Sequence, residues 1–266
     1  FWVEGAVQDL TWEASAVYIE NAVIIGGPET TALADAARAA GIDVVIGVAE
    51  KDPATEGAVY CTALTISRDG EILGRHRKLK PTHAERIIWG DGDAVGLKVH
   101  ARDYGKISAL NCWEHQMMLP GYALAAQGTQ VHCALWPGWE KTPRREEYCW
   151  ARQHLLSRTF ASQAAAYVIC AAGLRLAQHI PDRWKPLGVW EHTGQSVIID
   201  PRGEIIAGPI DGEGIIYAEG SLDVVRAAKA ACDIAGHYSR ADIFRLLIDD
   251  RERHAAEFAS ERDHRG

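Results

Sequence analysis

Cys112 closes an apolar stretch, residues 106–111 (KISALN), and is followed at once by Trp113, Glu114 and His115, so an apolar pattern turns polar at the thiol. A thiol at the end of a strand and the start of a helix sits where the helix's partial positive charge favours the thiolate, and where backbone N–H groups can hold an oxyanion. Those are the requirements of a nucleophile. The cysteines at 61, 133, 149, 170 and 232 fall inside apolar strand or helix patterns, where a thiol behaves as a small inert hydrophobe. The second chemical feature is the basic run 74–81 (GRHRKLKP). Alternation along a strand puts His76, Lys78 and Lys80 on one face and Arg75, Arg77 and Leu79 on the other, so one ammonium can point inward. Downstream, Glu85 precedes apolar Ile87, Ile88 and Trp89 and offers an acid to hold such a lysine charged and oriented. Each feature alone has a plainer use: a structural cysteine at a junction, or a solvated basic edge strand that discourages edge-to-edge pairing. Catalysis requires the two together.

The elements that must position them alternate between strand and helix. Pro28 opens an Ala-rich helix with Leu33, Ala36, Ala37 and Ala40 at helical spacing and Gly41 just past its end. Residues 43–48 (DVVIGV) read as a buried strand. Strands at 59–67 and 71–75 flank Arg68, Asp69 and Gly70, a hairpin in which glycine supplies the positive φ. Strands at 97–101 and 106–111 surround a turn at Tyr104 and Gly105; a helix over 117–126 leads to a strand at 130–135. The longest helical pattern covers 144–165, followed by a strand at 167–172 and a second hairpin, 196–199 with 204–207, around Asp200 to Gly203. A strand at 215–218, a helix at 222–234 and a short strand at 243–247 complete the pattern. Hairpins mixed with strand–helix crossovers predict an α/β fold with two mixed sheets and helices outside.

Composition narrows the function. The chain has 266 residues, 47% hydrophobic and 24% charged, as expected for a globular protein. Lys+Arg number 28 against Asp+Glu 36, a net charge of -8, which argues against nucleic acid or an anionic membrane as the main partner. The stretch from His115 to Trp139 lacks Asp, Glu, Lys and Arg but carries Gln116, Pro120, Gln127, Gln130, His132 and Pro137, so no transmembrane helix is expected. Widely spaced cysteines without a CxxC pair suit neither a zinc ribbon nor a dithiol centre, and a reducing cytoplasm is the expected compartment. The histidines form no ligand cluster, so no metal and no cofactor are expected. His115 and His132 are expected to be hydrogen-bonded structural residues.

Read together, GRHRKLKPTHAERIIWGDGD, KISALNCWEHQMMLPGYALAAQGTQVHCALWPG and GHYSRADIF (236–244) resemble the nitrilase branch of the carbon–nitrogen hydrolases. The resemblance covers about residues 1–247. It implies an αββα sandwich, with a domain over 1–248 and a charged tail over 249–266, and a Glu-Lys-Cys triad. Cys112 matches the nucleophile, Lys78 the lysine and Glu85 the additional acid near the lysine. The resemblance also implies homo-oligomers and hydrolysis of a nitrile through a thioimidate and a thioester. The Trp113 amide would belong to the oxyanion hole; Trp136 and Pro137, at the end of a parallel-type strand, are placed either to wall the substrate pocket or, for Trp136, to fill the core. A cyanide hydratase or dihydratase, an amidase or carbamoylase, and an inactive or scaffold subunit are the alternatives. The sequence departs from the pattern at Ser108, Met118 and Gly121, and it contains no Phe-Pro-Glu, the family motif that bears the general-base glutamate. Phe1 and Trp2 resemble the residues just after that motif, so an opening β-α-β unit, roughly 30 residues, is expected ahead of Phe1. With it would go the glutamate and two strands, and a chain without them is expected to be poorly active.

Overall fold

The structure, a computed structural model, describes residues 8–141, 150–188, 191–254 and 256. The first half builds a small antiparallel sheet with helices on its outer side. Helix α1 (Gln8–Glu20) precedes α2 (Pro28–Ala40), where Pro28 occupies the first turn and Gly41, at φ 65°, closes the last with its N–H on the Ala37 and Arg38 carbonyls. Strands β1 (Val44–Lys51), β2 (Val59–Ile66) and β3 (Ile72–Arg77) follow in the order β1-β2-β3. Gly70, at φ 78°, makes the β2–β3 turn that its position in the hairpin predicts. Ala34 and Ala37 of α2 pack on Leu64 and Ile66 of β2, two small residues letting the helix approach the sheet.

The second sheet carries the crossovers. Its elements are β4 (His100–Arg102), β5 (Gly105–Asn111), α3 (Met118–Ala126), β6 (Val131–Trp136), β7 (Glu140–Lys141), α4 (Trp150–Ala164), β8 (Tyr167–Ala172), β9 (Leu174–Arg175), β10 (Glu191–Ile199), β11 (Ile205–Asp211) and the outlying α5 (Leu222–Ala231). The strand order is β11-β10-β8-β6-β5-β4, with β7 and β9 on the first residues of β10. β5, β6 and β8 are parallel because α3 and α4 return the chain between them; the hairpin partners at both ends are antiparallel. Leu124 of α3 and Phe160 and Ala161 of α4 cover Leu110, Ala134 and Val168 on the sheet. Full burial of Leu64, Leu110 or Leu124 contributes about 1.5–3 kcal/mol each. On its other face this sheet meets the first, β2 against β5 and β1 against β6. The layers are those of an αββα sandwich.

Several features differ from the pattern read in the sequence. The strand expected at 97–101 begins only at His100, as β4, since residues 97–99 have no ladder partner among the described residues. Strands β7 and β9 are short strands that the pattern does not show. Helix α1 is added; its apolar residues do not gather on one face, and Trp12 and Val17 are exposed, so no periodicity announces it. Residues 215–218 are not a strand: Ile215 and Tyr217 lie exposed, leaving no buried face to fix a register. Residues 243–247 are not a strand either. That segment runs beside α3 and α4, where helices offer no backbone ladder to join. The expected helix over 144–165 is described from Trp150, and that over 222–234 ends at Ala231. Among the described residues, no helix is long and apolar enough to cross a membrane.

Candidate active site

Lys78 extends β3 by one residue: its N–H donates to the Cys61 carbonyl (2.8 Å) and its carbonyl accepts from Gly92 N–H (2.9 Å). A Cβ at position 92 would lie 2.3 Å from the Arg77 carbonyl oxygen, so only glycine allows the loop to reach the strand. The lysine side chain turns inward and is 2% exposed. Its Nζ donates to Glu85 Oε2 (2.5 Å) and to Thr82 Oγ1 (3.2 Å). Glu85, also buried, stands on a short 3-10 helix (His83–Ile87) and forms a capping box with Thr82, whose N–H donates to the same Oε2 (2.6 Å). The Trp89 ring lies 5.9 Å from Nζ, and its indole N–H donates to Tyr18 Oη (3.0 Å) on α1. Burial opposes the charge on Lys78, but Cys112 and Glu85 outweigh it and raise the pKa. Lys78 is therefore an ammonium at neutral pH. Lys80, on the same alternation, is exposed and pairs with Asp91.

Cys112 follows the last residue of β5 and opens the short 3-10 helix Cys112–Gln116. Its φ of 51° is left-handed for a residue with a Cβ, a conformation costing about 1–2 kcal/mol. Burial pushes the thiol pKa up; Lys78 first, and then the Trp113 amide, which hydrogen-bonds to it, pull it back. The net shift is upward, so the resting residue is a thiol beside an ammonium. After burial, each is the other's strongest charged influence.

Two buried networks brace this junction. Glu114 Oε1 accepts from Leu79 N–H (2.9 Å), Oε2 accepts from Asn111 N–H (2.8 Å), and His76 Nε2 lies 3.0 Å from each oxygen. Burial works against the charge on Glu114, yet His76 and the two amides hold its carboxyl below the ordinary range. On the other side His115 Nδ1 donates to the Cys112 carbonyl (2.7 Å), His115 Nε2 meets His132 Nε2 (3.0 Å), and His132 Nδ1 meets Ser108 Oγ (2.8 Å), which bonds Thr129 Oγ1 (2.7 Å). Ser108, one of the departures from the family pattern, thus has a hydrogen-bonding use.

The structure brings Cys112, Lys78 and Glu85 together, with Trp113 next to the thiol. Trp113 is half-buried against the core, with the Arg152 guanidinium 5.4 Å from its ring. Trp136 is placed in the core itself: its ring stacks on His115 (5.3 Å between centroids) and its indole N–H donates to Ser157 Oγ (3.1 Å). Pro137 follows at the end of β6, half-buried. A cavity of about 1590 Å³ lies elsewhere, between α3, α4 and residues 234–250, and none of the candidate catalytic residues lines it. Sequence reading missed Thr82, Glu114 and Tyr18 as parts of the site. The capping spacing Thr82-x-x-Glu85 was a usable signal for the first; nothing local signals that α1 would deliver Tyr18. Among the described residues no group of His, Cys, Asp and Glu could hold a metal ion.

The buried imidazoles set an acid limit. Burial lowers His115 to about 4, burial and then Arg175 lower His192 to about 4, and burial drives His132 well below its usual value. An unfolded chain binds these protons near pH 6.5, whereas the folded one refuses them until about pH 4. The stability they confer is present above pH 6.5 and is lost as pH falls through that window, on the order of 3 kcal/mol for each full shift. The melting temperature is expected to fall steadily between pH 7 and 4.5. A flat profile across that range would contradict the burial of neutral imidazoles.

Comparison with known proteins agrees with the fold. Residues 7–230 match the carbon–nitrogen hydrolase family model. The chain is 51% identical over 261 residues to "Nitrilase 2" of an unknown prokaryotic organism, covering 95% of this chain and 80% of that protein. It is 34% identical over 258 residues to an "Aliphatic nitrilase" of Rhodococcus rhodochrous, covering 94% and 69%. Among solved structures it resembles Saccharomyces cerevisiae Nit3, a member of branch 10 of the nitrilase superfamily. That likeness has a TM-score of 0.67 at 23% identity and covers 84% of this chain and 78% of the other.

Proposed function

The chain belongs to the carbon–nitrogen hydrolase family, an enzyme family acting on C–N bonds, and on that premise we propose that it hydrolyses an organic nitrile to the carboxylic acid and ammonia. The observation that carries this reading is the buried Lys78–Glu85 pair set against the Cys112 thiol at the ends of two strands. Cys112 Sγ attacks the nitrile carbon as the C≡N bond becomes C=N; Lys78 gives a proton to the nitrogen and regains one from the thiol, so the product is a neutral thioimidate. Water adds to the C=N carbon, and collapse expels ammonia and leaves a thioester. A second water cleaves that to the acid and returns the thiol. Glu85 keeps Lys78 charged and aimed, and the Trp113 amide stabilises developing negative charge. Trp113 and Pro137 are the proposed walls of the substrate site, Trp136 being a core residue bonded to Ser157, and no metal or cofactor enters the scheme.

The test is ammonia release from phenylacetonitrile, benzonitrile, aliphatic nitriles, cyanide and a carboxamide, compared side by side. Turnover of organic nitriles supports the reading; activity on the amide alone, or on cyanide alone, overturns it in favour of those chemistries.

Self-assembly belongs to the same proposal. Met118 and Leu119 of α3 and Phe244 and Leu247 of the C-terminal segment are exposed around one groove, more apolar surface than an isolated chain tolerates well. A second copy is the proposed occupant, and light scattering on the purified protein would read the mass; a strict monomer at micromolar concentration excludes it. A reducing compartment follows from the need to keep Cys112 as a thiol.

A further inference from the structure

Lys78 and Cys112 stand on different sheets, and nothing in either strand fixes the distance between them. One side chain touches both sides. Glu114 lies two residues beyond the nucleophile and is 1% exposed. Its Oε2 takes the N–H of Asn111, the residue before Cys112; its Oε1 takes the N–H of Leu79, the residue after Lys78. The Asn111 bond is an ordinary cap of the 3-10 helix. The Leu79 bond is not local: it crosses from the second sheet to the first. His76, at the end of β3, adds a third link, since two carboxylate oxygens facing Nε2 require that nitrogen to carry the proton.

We propose that Glu114 is a positioning residue that sets the separation of the Lys78 ammonium and the Cys112 sulfur, by holding the backbone on both sides with one buried carboxylate. The inference rests on the reading of Cys112 as nucleophile and Lys78 as its cation. Glu114 touches neither reacting group. Glutamine in its place has one acceptor oxygen instead of two and turns an NH2 toward a backbone N–H, so one of the two amides loses its partner and the seam opens there.

The experiment follows Glu114→Gln with two readouts. Nitrile turnover is expected to show KM within about twofold of the parent and kcat lowered about 10- to 100-fold, as for a small misplacement of reacting groups. The rate of Cys112 alkylation by iodoacetamide, followed on the Cys112 peptide by mass spectrometry across pH, is expected to show the thiol ionising about one pH unit higher as the ammonium recedes. A lowered melting temperature with an unchanged alkylation profile would overturn the proposal, because that is what a purely structural carboxylate would give. If Glu114→Gln does not fold, Glu114→Asp, which keeps the charge but is one carbon short of spanning both amides, carries the same test. The alkylation readout needs no nitrile. A parent without nitrile turnover but a shifted variant profile sinks the functional reading alone, and turnover in the parent with an unshifted variant sinks this inference alone.

Discussion

Replacing Cys112 with alanine is expected to lower nitrile turnover by about 10⁴-fold or more, the scale seen when a covalent nucleophile is removed. The effect should fall on kcat, because Cys112 takes part in bond making and the pocket walls are elsewhere. Folding should survive: alanine meets the same left-handed φ of 51° as cysteine and loses only the sulfur from the core. The direction of the thiol pKa sharpens the expectation. Burial keeps Cys112 protonated at rest despite Lys78, so the sulfur becomes a nucleophile when it gives up its proton, with substrate in place. Serine at the same position holds its proton more firmly and is a poorer nucleophile, so Cys112→Ser should be as inactive as alanine. Mass spectrometry of the parent quenched during turnover should find the acyl adduct on the Cys112 peptide and on no other. Residual activity above about 1% in Cys112→Ala would falsify the nucleophile assignment.

Removing the lysine should cost both activity and stability, and a second substitution should separate the two. Lys78→Met keeps the volume but leaves Glu85 buried without its cation, retaining only the Thr82 N–H. An uncompensated buried charge destabilises by about 3–5 kcal/mol, and the loss of a donor aimed at developing charge lowers kcat by about 10²- to 10³-fold. Lys78→Met combined with Glu85→Gln removes the stranded charge. Urea unfolding should find most of the lost stability restored in the double variant, while its turnover stays at the single variant's level. A double variant that regains activity would mean that Lys78 serves packing alone.

Part of this was legible in local patterns. The polar turn after KISALN marks the Cys112 junction, and strand alternation singles out His76 and Lys78; the structure buries both and leaves Lys80 outside, where the strand has ended. The hairpins at Gly70 and Gly203 and the crossovers through α3 and α4 follow from turn chemistry and period. What was not legible is non-local. Residues 243–247 carry a strand's composition, but a strand exists only where a neighbour offers its edge, and that neighbour is a helical face. Arg77, on the face opposite Lys78, is buried as well, because Glu50 of β1 accepts from its guanidinium (2.6 Å) and Tyr60 of β2 lies under it. Nothing within the run GRHRKLKP announces those partners. In the sequence Glu114 is only part of the polar turn after Cys112; its bond to Leu79 is visible only once the sheets are stacked.

That stacking has a consequence for durability. The nucleophile belongs to one sheet and its cation to the other, so a brief parting of the layers disables the site while both sheets keep their hydrogen bonds. Such partial openings need less free energy than global unfolding. On heating, activity measured at temperature should therefore fade at a lower midpoint than ellipticity does, and recover on prompt cooling. Coincident midpoints would argue against this. The working lifetime of the protein in the warm is then set by the seam between its layers.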